Sequence, residues 1–170
     1  MQDPIVHAHK EIDLISVMVE GSMIHYGSLG HGQEIATDHV QVQRAGEEGF
    51  SHNEINPSNS SNRMIQIWAL PEKKDKCASY RIYKLPAGKV TRVYGGSRDQ
   101  IETLASHTII DVALLITAEE FTLEKNFLAY LAAGKGRADN QEIDEGSLFK
   151  GEQLNFKANS DVTMIIIYED

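Results

Sequence analysis

Two short motifs in the first third of the chain combine residue types that bind metal ions. His7 and His9 are separated by one residue, and so are His52 and Glu54. In a β-strand, residues i and i+2 point to the same face about 6.6–7 Å apart, so each motif would present two ligands on one side of a strand. If the two strands face each other across a barrel, three imidazoles and one carboxylate meet at one point.

This set of nitrogen and oxygen donors suits a divalent ion that takes part in chemistry. Four protein ligands leave two positions of an octahedron open for water or substrate. Mixed ligation of this kind is typical of Fe(II), Mn(II), Ni(II) or Cu(II), and it lacks the thiolates of a structural zinc site. A His-x-His motif alone more often marks ordinary histidines. Its pairing with a His-x-Glu motif, at an interval that one β-unit can span, favours the metal site.

The elements that would position these side chains are strands. Apolar residues occur in short alternating or β-branched runs, separated by turn-forming residues, and this pattern predicts an all-β sandwich or barrel. The runs cover residues 14–19, 64–70, 108–116, 127–131 and 162–168. The best helix candidate is the short segment 98–106, with Ser97 as its N-cap.

The sequence also contains a weak internal repeat. Gly21 is followed by a Gln-Glu-Ile triplet at 33–35, and Gly134 is followed by the same triplet at 141–143. A repeat of this kind predicts two stacked copies of one β-unit.

The repeat suggests domain boundaries and an internal control. We place a first unit at 1–71, a charged linker at 72–79 and a second unit at 80–170. Counting along the repeat gives the second-unit residues that correspond to the three histidine ligands of the first unit. They are Glu120, Thr122 and Ser160, and none of them is a histidine. The second unit is therefore predicted to lack a metal site and to be structural.

Charge and cysteine content exclude several classes of function. The chain of 170 residues has 16 basic and 25 acidic residues, a net charge of −9, which repels nucleic-acid phosphates and anionic membranes. Cys77 is the only cysteine, so no intrachain disulfide forms. The start resembles no leader peptide, and no stretch approaches the about 20 apolar residues of a membrane span. We expect a cytoplasmic protein without direct contact to nucleic acid or membrane.

Further motifs follow one another in a fixed order between residues 7 and 70. They are His7-Ala8-His9, Val19-Glu20-Gly21, His25-Tyr26-Gly27-Ser28-Leu29-Gly30, Asp38-His39-Val40-Gln41, Ala45-Gly46-Glu47-Glu48-Gly49-Phe50-Ser51-His52-Asn53-Glu54 and Gln66-Ile67-Trp68. In order and spacing this segment resembles the pirin family, whose corresponding elements include His-Pro-His, Leu-Glu-Gly and His-Ser-Glu. Pirins are bicupins, with two double-stranded β-helix barrels of the cupin or jelly-roll type and one metal site in the N-terminal barrel.

The resemblance implies a site and a reaction. It assigns His7, His9, His52 and Glu54 as metal ligands, with Fe(II) as the leading metal and Mn, Ni, Cu or Zn as alternatives. Some pirins resemble quercetin 2,3-dioxygenases, which implies a dioxygenase acting on flavonol-like or other small aromatic substrates. If Glu54 leaves the metal, its carboxylate is a candidate catalytic base toward a substrate hydroxyl. The alternative is a non-catalytic, metal-dependent regulatory protein that binds a protein partner.

The chain also departs from the family pattern. Pirins have several strands before the His-x-His motif, whereas six residues precede His7 here. We therefore expect an incomplete first barrel that a homodimer completes. The segment 10–13 lacks the Gly-Phe-Glu-Thr run of the family, so the lining of the pocket is expected to differ.

The remaining histidines and large apolar side chains have simpler interpretations. Single histidines are predicted to be surface or strand-packing groups, and this applies to His25, His31 and His39. Alternating strand positions predict core packing for three further residues, Met18, Met23 and Trp68.

Overall fold

The computed structural model describes residues 7–73 and 77–170, without the side chain of His7. The described part contains seventeen strands and confirms the all-β fold class. The strands are β1 His7–His9, β2 Asp13–Glu20, β3 Ser22–Gly27, β4 His31–Ala36, β5 His39–Arg44, β6 Phe50–Ile55, β7 Arg63–Ala69, β8 Ser79–Lys84, β9 Lys89–Gly96, β10 Ser106–Leu115, β11 Glu120–Leu123, β12 Phe127–Ala133, β13 Lys135–Ala138, β14 Gln141–Asp144, β15 Leu148–Gly151, β16 Leu154–Ala158 and β17 Val162–Glu169.

The first compact unit ends at Lys84 and contains two four-stranded sheets. One sheet has the order β1-β6-β3-β4 and the other has the order β7-β2-β5-β8. Strand β8 pairs with β5, so the unit extends beyond the segment 72–79 that the sequence suggested as a linker. The change in composition marks a connection inside the unit, and the chain then returns to its sheet. Within that connection, residues 74–76 lie outside the described residues.

The second unit, from Leu85 to Asp170, repeats the order of strands β1–β7 in its strands β11–β17 and adds β10 and β9 beside β17. Its sheets have the orders β15-β12-β17-β10-β9 and β11-β16-β13-β14. In both units a long strand turns at a left-handed glycine into the opposite sheet, at Gly21 with φ 77° and at Gly134 with φ 87°. A side chain at Gly134 would clash with the carbonyl of Asp161, so the turn requires glycine. The structure thus supports the repeat deduced from the sequence.

The two units differ in what fills them. The second unit has an apolar core that includes Leu131, Phe156 and Met164. In the first unit, apolar clusters around Leu14 and around Met18 flank a polar middle. Three polar side chains are completely buried there, those of Ser16, Gln41 and Gln43. A folded chain keeps buried amides and hydroxyls at a cost, so their presence indicates a site in the first unit.

The prediction of a helix at 98–106 is wrong, because the segment forms turns and bends. The Gln100 side chain donates to the Thr103 carbonyl at 3.2 Å and accepts from its backbone N–H at 2.9 Å. The Thr103 hydroxyl donates to the carbonyl of Gly95. Such bonds compete with helical hydrogen bonding, and two turns are too short to form a helix without strong tertiary support. Among the described residues, no helix has the length and apolar character to cross a membrane.

Candidate metal centre

The two predicted ligand motifs lie on neighbouring strands of one sheet. β1 and β6 are antiparallel, with His7 opposite His52 and His9 opposite Phe50. The sequence analysis placed these strands on opposite walls of a barrel, whereas the structure pairs them directly. Cross-strand neighbours are about 4.5–5.5 Å apart at Cβ, so adjacent pairing also brings the motifs together. The side chain of His7 lies outside the described residues, and its role as a ligand stays a prediction.

His9 and His52 meet through their Nε2 atoms, which are 3.2 Å apart. Two nitrogens bound at about 2.1 Å to one ion lie about 3.0–3.4 Å apart for octahedral or tetrahedral angles. Phe50 packs against both rings at centroid distances of 5.2 Å and restricts their orientation. The spacing of the two imidazoles therefore matches that of two ligands of one metal ion.

Glu54 is held beside His52 by a chain of hydrogen bonds. Its Oε1 lies 3.6 Å from His52 Nδ1 and accepts a hydrogen bond of 3.1 Å from the amide of Gln41. Gln41 in turn accepts a hydrogen bond of 2.9 Å from the Tyr80 hydroxyl. Burial, followed by the negative charge of Glu54, raises the pKa of Tyr80. The phenol therefore stays protonated and keeps donating, which orients the carboxylate.

His25 is the site residue that the sequence analysis missed. It is fully buried on β3, directly opposite Glu54, and among the described residues neither ring nitrogen makes a hydrogen bond of good geometry. Burial lowers the pKa of His25 and outweighs the backbone of Leu29, which is near enough to raise it, so the imidazole is neutral. His25, His52 and Glu54 each offer one ligand atom, and these atoms all lie within 4.8 Å of one another. The available signal was strand alternation, because His25 shares its face with the buried Met23.

The donor set fits a divalent cation. An unmade hydrogen bond at a buried polar atom costs about 1–3 kcal/mol, and an ion bound at the His25 ring would remove one such cost. Neutral imidazoles with a carboxylate are ligands for iron, nickel, copper, manganese or zinc. Gln43 lies next to the site, with its amide nitrogen 3.4 Å from His52 Nδ1 and its oxygen buried without a partner. If this amide is flipped, its oxygen accepts a hydrogen bond from the Nδ1–H group of His52. Nε2 of His52 is then the unprotonated nitrogen that can bind a metal ion.

The other residues singled out from the sequence are distributed as follows. Met18 and Met23 are buried in the core, as expected. His31 is exposed, and His39 lies within 3.2 Å of the Thr37 carbonyl. The core assignment of Trp68 is wrong, because 60% of its surface is exposed. Alternation failed there because β7 is an edge strand among the described residues.

Solvent reaches the site from the side of His9. His9 is partly exposed, while His52 is 4% exposed and His25 is buried. An open depression of about 480 Å³ is lined by His9, Phe50 and neighbouring residues. The exposed indole of Trp68 stands edge-on to His9 at 5.3 Å.

In the second unit the corresponding inner surface is apolar. Phe121 and Leu123 of β11 pack against the core, whereas Glu120 is exposed. Ser160, which the spacing count made the equivalent of His52, lies in a turn after β16 and accepts from the Lys135 N–H at 2.9 Å. Counting residues misplaced the equivalent of His52, because the loops before β6 and β16 differ in length. The inner face of β11 carries apolar side chains.

Comparison with known proteins agrees with this division. Residues 2–69 match the family model Pirin. The chain is 28% identical over 177 residues to a provisionally named quercetin 2,3-dioxygenase of Zymomonas mobilis, a match covering 95% of this chain and 74% of that protein. It is 33% identical over 67 residues to a quercetin 2,3-dioxygenase of Escherichia coli, covering 39% of this chain and 29% of the enzyme. A pirin-like protein of Caulobacter vibrioides is 30% identical over 139 residues, covering 76% of this chain and 59% of that protein.

Solved structures share the fold. The bacterial pirin YhhW of Escherichia coli in complex with nickel(II) has a TM-score of 0.80 at 19% identity, over 98% of this chain and 76% of that one. A quercetin 2,3-dioxygenase of Acinetobacter baumannii has a TM-score of 0.70 at 17% identity, over 97% of this chain and 67% of that one. Together with the duplicated β topology, these similarities support a pirin-like cupin fold, and the Pirin family model itself matches the N-terminal segment 2–69.

Proposed function

We propose that the first unit binds a divalent metal ion through His7, His9, His52 and Glu54, with Fe(II) as the leading metal. The observation that carries this proposal is the 3.2 Å separation of the Nε2 atoms of His9 and His52. The carboxylate of Glu54 lies on the Nδ1 side of the same His52 ring, at 3.6 Å. An ion at this point would supply Lewis acidity and, if iron, redox chemistry.

We further propose that the protein is a dioxygenase for flavonol-like or other small aromatic substrates. The relatives named quercetin 2,3-dioxygenase support this reaction class. The exposed indole of Trp68, edge-on to His9 at 5.3 Å, offers an aromatic contact for the substrate. Gln41 orients Glu54 through a hydrogen bond to Oε1, and the carboxylate of Glu54 is the group that takes a proton from a substrate hydroxyl. A dioxygenase places both atoms of O₂ in its product and needs no external reductant.

The test combines metal analysis with a substrate assay. Protein purified without a metal-affinity tag is reconstituted with Fe(II), and loss of flavonol absorbance is followed with and without O₂. We expect one ion per chain and O₂ uptake that matches flavonol loss, and His52→Ala should abolish both binding and turnover. Stoichiometric binding without flavonol loss would refute the enzymatic part only.

The second candidate is a non-catalytic, metal-dependent protein that binds a protein partner. It is favoured by the exposed apolar side chains of Trp68 and Leu70, which are 60% and 81% exposed. Exposed apolar surface of this kind marks interaction sites. The same flavonol assay separates the two candidates, because only the enzyme consumes O₂.

A further inference from the structure

His25 combines three properties that have no structural explanation in a metal-free core. The side chain has no exposed surface. Within the described part of the chain, neither ring nitrogen makes a hydrogen bond of good geometry. The ring also lies next to two other potential ligands, since donor atoms of His25, His52 and Glu54 all lie within 4.8 Å of one another. Buried polar groups are nearly always satisfied, so an unsatisfied imidazole among metal ligands indicates a missing partner.

The strand pairing holds the ring toward the site. His25 is opposite Glu54 in the β3–β6 ladder, and Gly27 is opposite His52. A Cβ atom on Gly27 would lie 2.7 Å from His25 Nε2 and 3.1 Å from His52 Cβ. The glycine therefore leaves open the space beside Nε2 of His25, on the side of His52.

We infer that His25 is a ligand of the metal centre, forming a two-histidine, one-carboxylate face with His52 and Glu54. This inference rests on the metal centre proposed above and adds a ligand to it. Such faces with open positions are typical of non-heme Fe(II) oxygenases. Together with His9, the described residues would supply three imidazoles and one carboxylate. The additional nitrogen strengthens binding of Ni²⁺ and Cu²⁺ relative to Mn²⁺, following the preference of imidazole for the later metals.

The test measures Ni²⁺ affinity and the number of bound imidazoles in the full chain. Affinity is determined by competition with a chromophoric chelator, and imidazoles are counted by X-ray absorption at the nickel edge. The variants are His25→Leu, which removes the ligand, and Gly27→Ala, which crowds Nε2 but keeps every ligand. His107→Gln is the matched control, because it removes an exposed imidazole of the second unit. Circular dichroism confirms that each variant folds.

We expect His25→Leu to weaken Ni²⁺ binding at least about 30-fold, since even partners outside the ligand set affect affinity 10–100-fold. The imidazole count should fall by one, Gly27→Ala should show an intermediate loss, and His107→Gln should match wild type. An unchanged imidazole count in folded His25→Leu overturns the inference, whatever its affinity, and leaves the proposed metal centre standing. A wild-type protein that binds no ion overturns both. If His25→Leu does not fold, unchanged affinity in Gly27→Ala is the refuting result.

Discussion

Replacing His25 with leucine should make the metal-free protein more stable. The imidazole is fully buried, and in the part of the chain that the structure describes neither nitrogen makes a hydrogen bond of good geometry. Leucine has a similar volume and no polar atoms, so the substitution removes a buried donor and a buried acceptor without leaving a large cavity. Most core substitutions destabilise, and a gain in stability would be diagnostic of the unsatisfied ring.

The magnitude follows from the two unmade hydrogen bonds. Each costs about 1–3 kcal/mol, and the change in side-chain shape costs less than about 1.5 kcal/mol. We therefore expect the free energy of unfolding of metal-free His25→Leu to exceed that of wild type by about 0.5–6 kcal/mol. With metal at 100 times its dissociation constant, wild type gains about 2.7 kcal/mol. His25→Leu binds the metal more weakly and gains less stability from it. The difference in unfolding free energy between the two proteins therefore narrows or changes sign.

Urea unfolding followed by far-UV circular dichroism measures both states, once with EDTA and once with saturating Ni²⁺. The dependence of the unfolding free energy on urea concentration should be the same for all variants. The midpoints of unfolding then report their relative stabilities. His25→Gln is the control, because it keeps buried polar atoms and should not gain stability in EDTA. Metal-free His25→Leu that is less stable than wild type would refute the reasoning, since the ring would then have a favourable role without metal.

Three other predictions follow from particular contacts. Gln43→Met should weaken metal binding about 10-fold without destabilising the metal-free protein, because it removes an unpartnered oxygen and the group beside His52 Nδ1; equal affinity in chelator competition would contradict this. Burial and Asp111 raise the pKa of Tyr168 to about 12, so Asp111→Asn should lower that pKa in titrations followed at 295 nm against a Tyr168→Phe reference. The phenol has the higher pKa in the folded protein, so its stabilising contribution is complete below pH 10 and is lost as the pH rises to about 12. We also expect a homodimer by light scattering, and Trp68→Glu on the edge strand should shift it to monomer; a monomeric wild type would exclude the dimer.

Strand alternation predicted much of the site, and the same rule also led to errors. The i, i+2 spacing of His52 and Glu54 put both on one face, and the structure confirms their proximity. The same rule placed Trp68 in the core, but 60% of its surface is exposed, because alternation specifies a face and does not show that β7 lies at the edge of its sheet among the described strands. His25 was assigned to surface or packing, although its alternation with Met23 pointed inward. A single histidine gives no indication of its neighbours until the strand opposite it is known.

The sequence alone determined the all-β architecture, its duplication and the resemblance to the pirin family, because short-range patterns, turn glycines and ordered motifs are local properties of the chain. It also determined which half carries candidate ligands. Only the tertiary structure decided that β1 and β6 are neighbours, that β8 belongs to the first unit, and that His25 lies opposite Glu54. Strand pairing joins residues far apart in sequence, and its register depends on the packing of the whole unit rather than on any local segment.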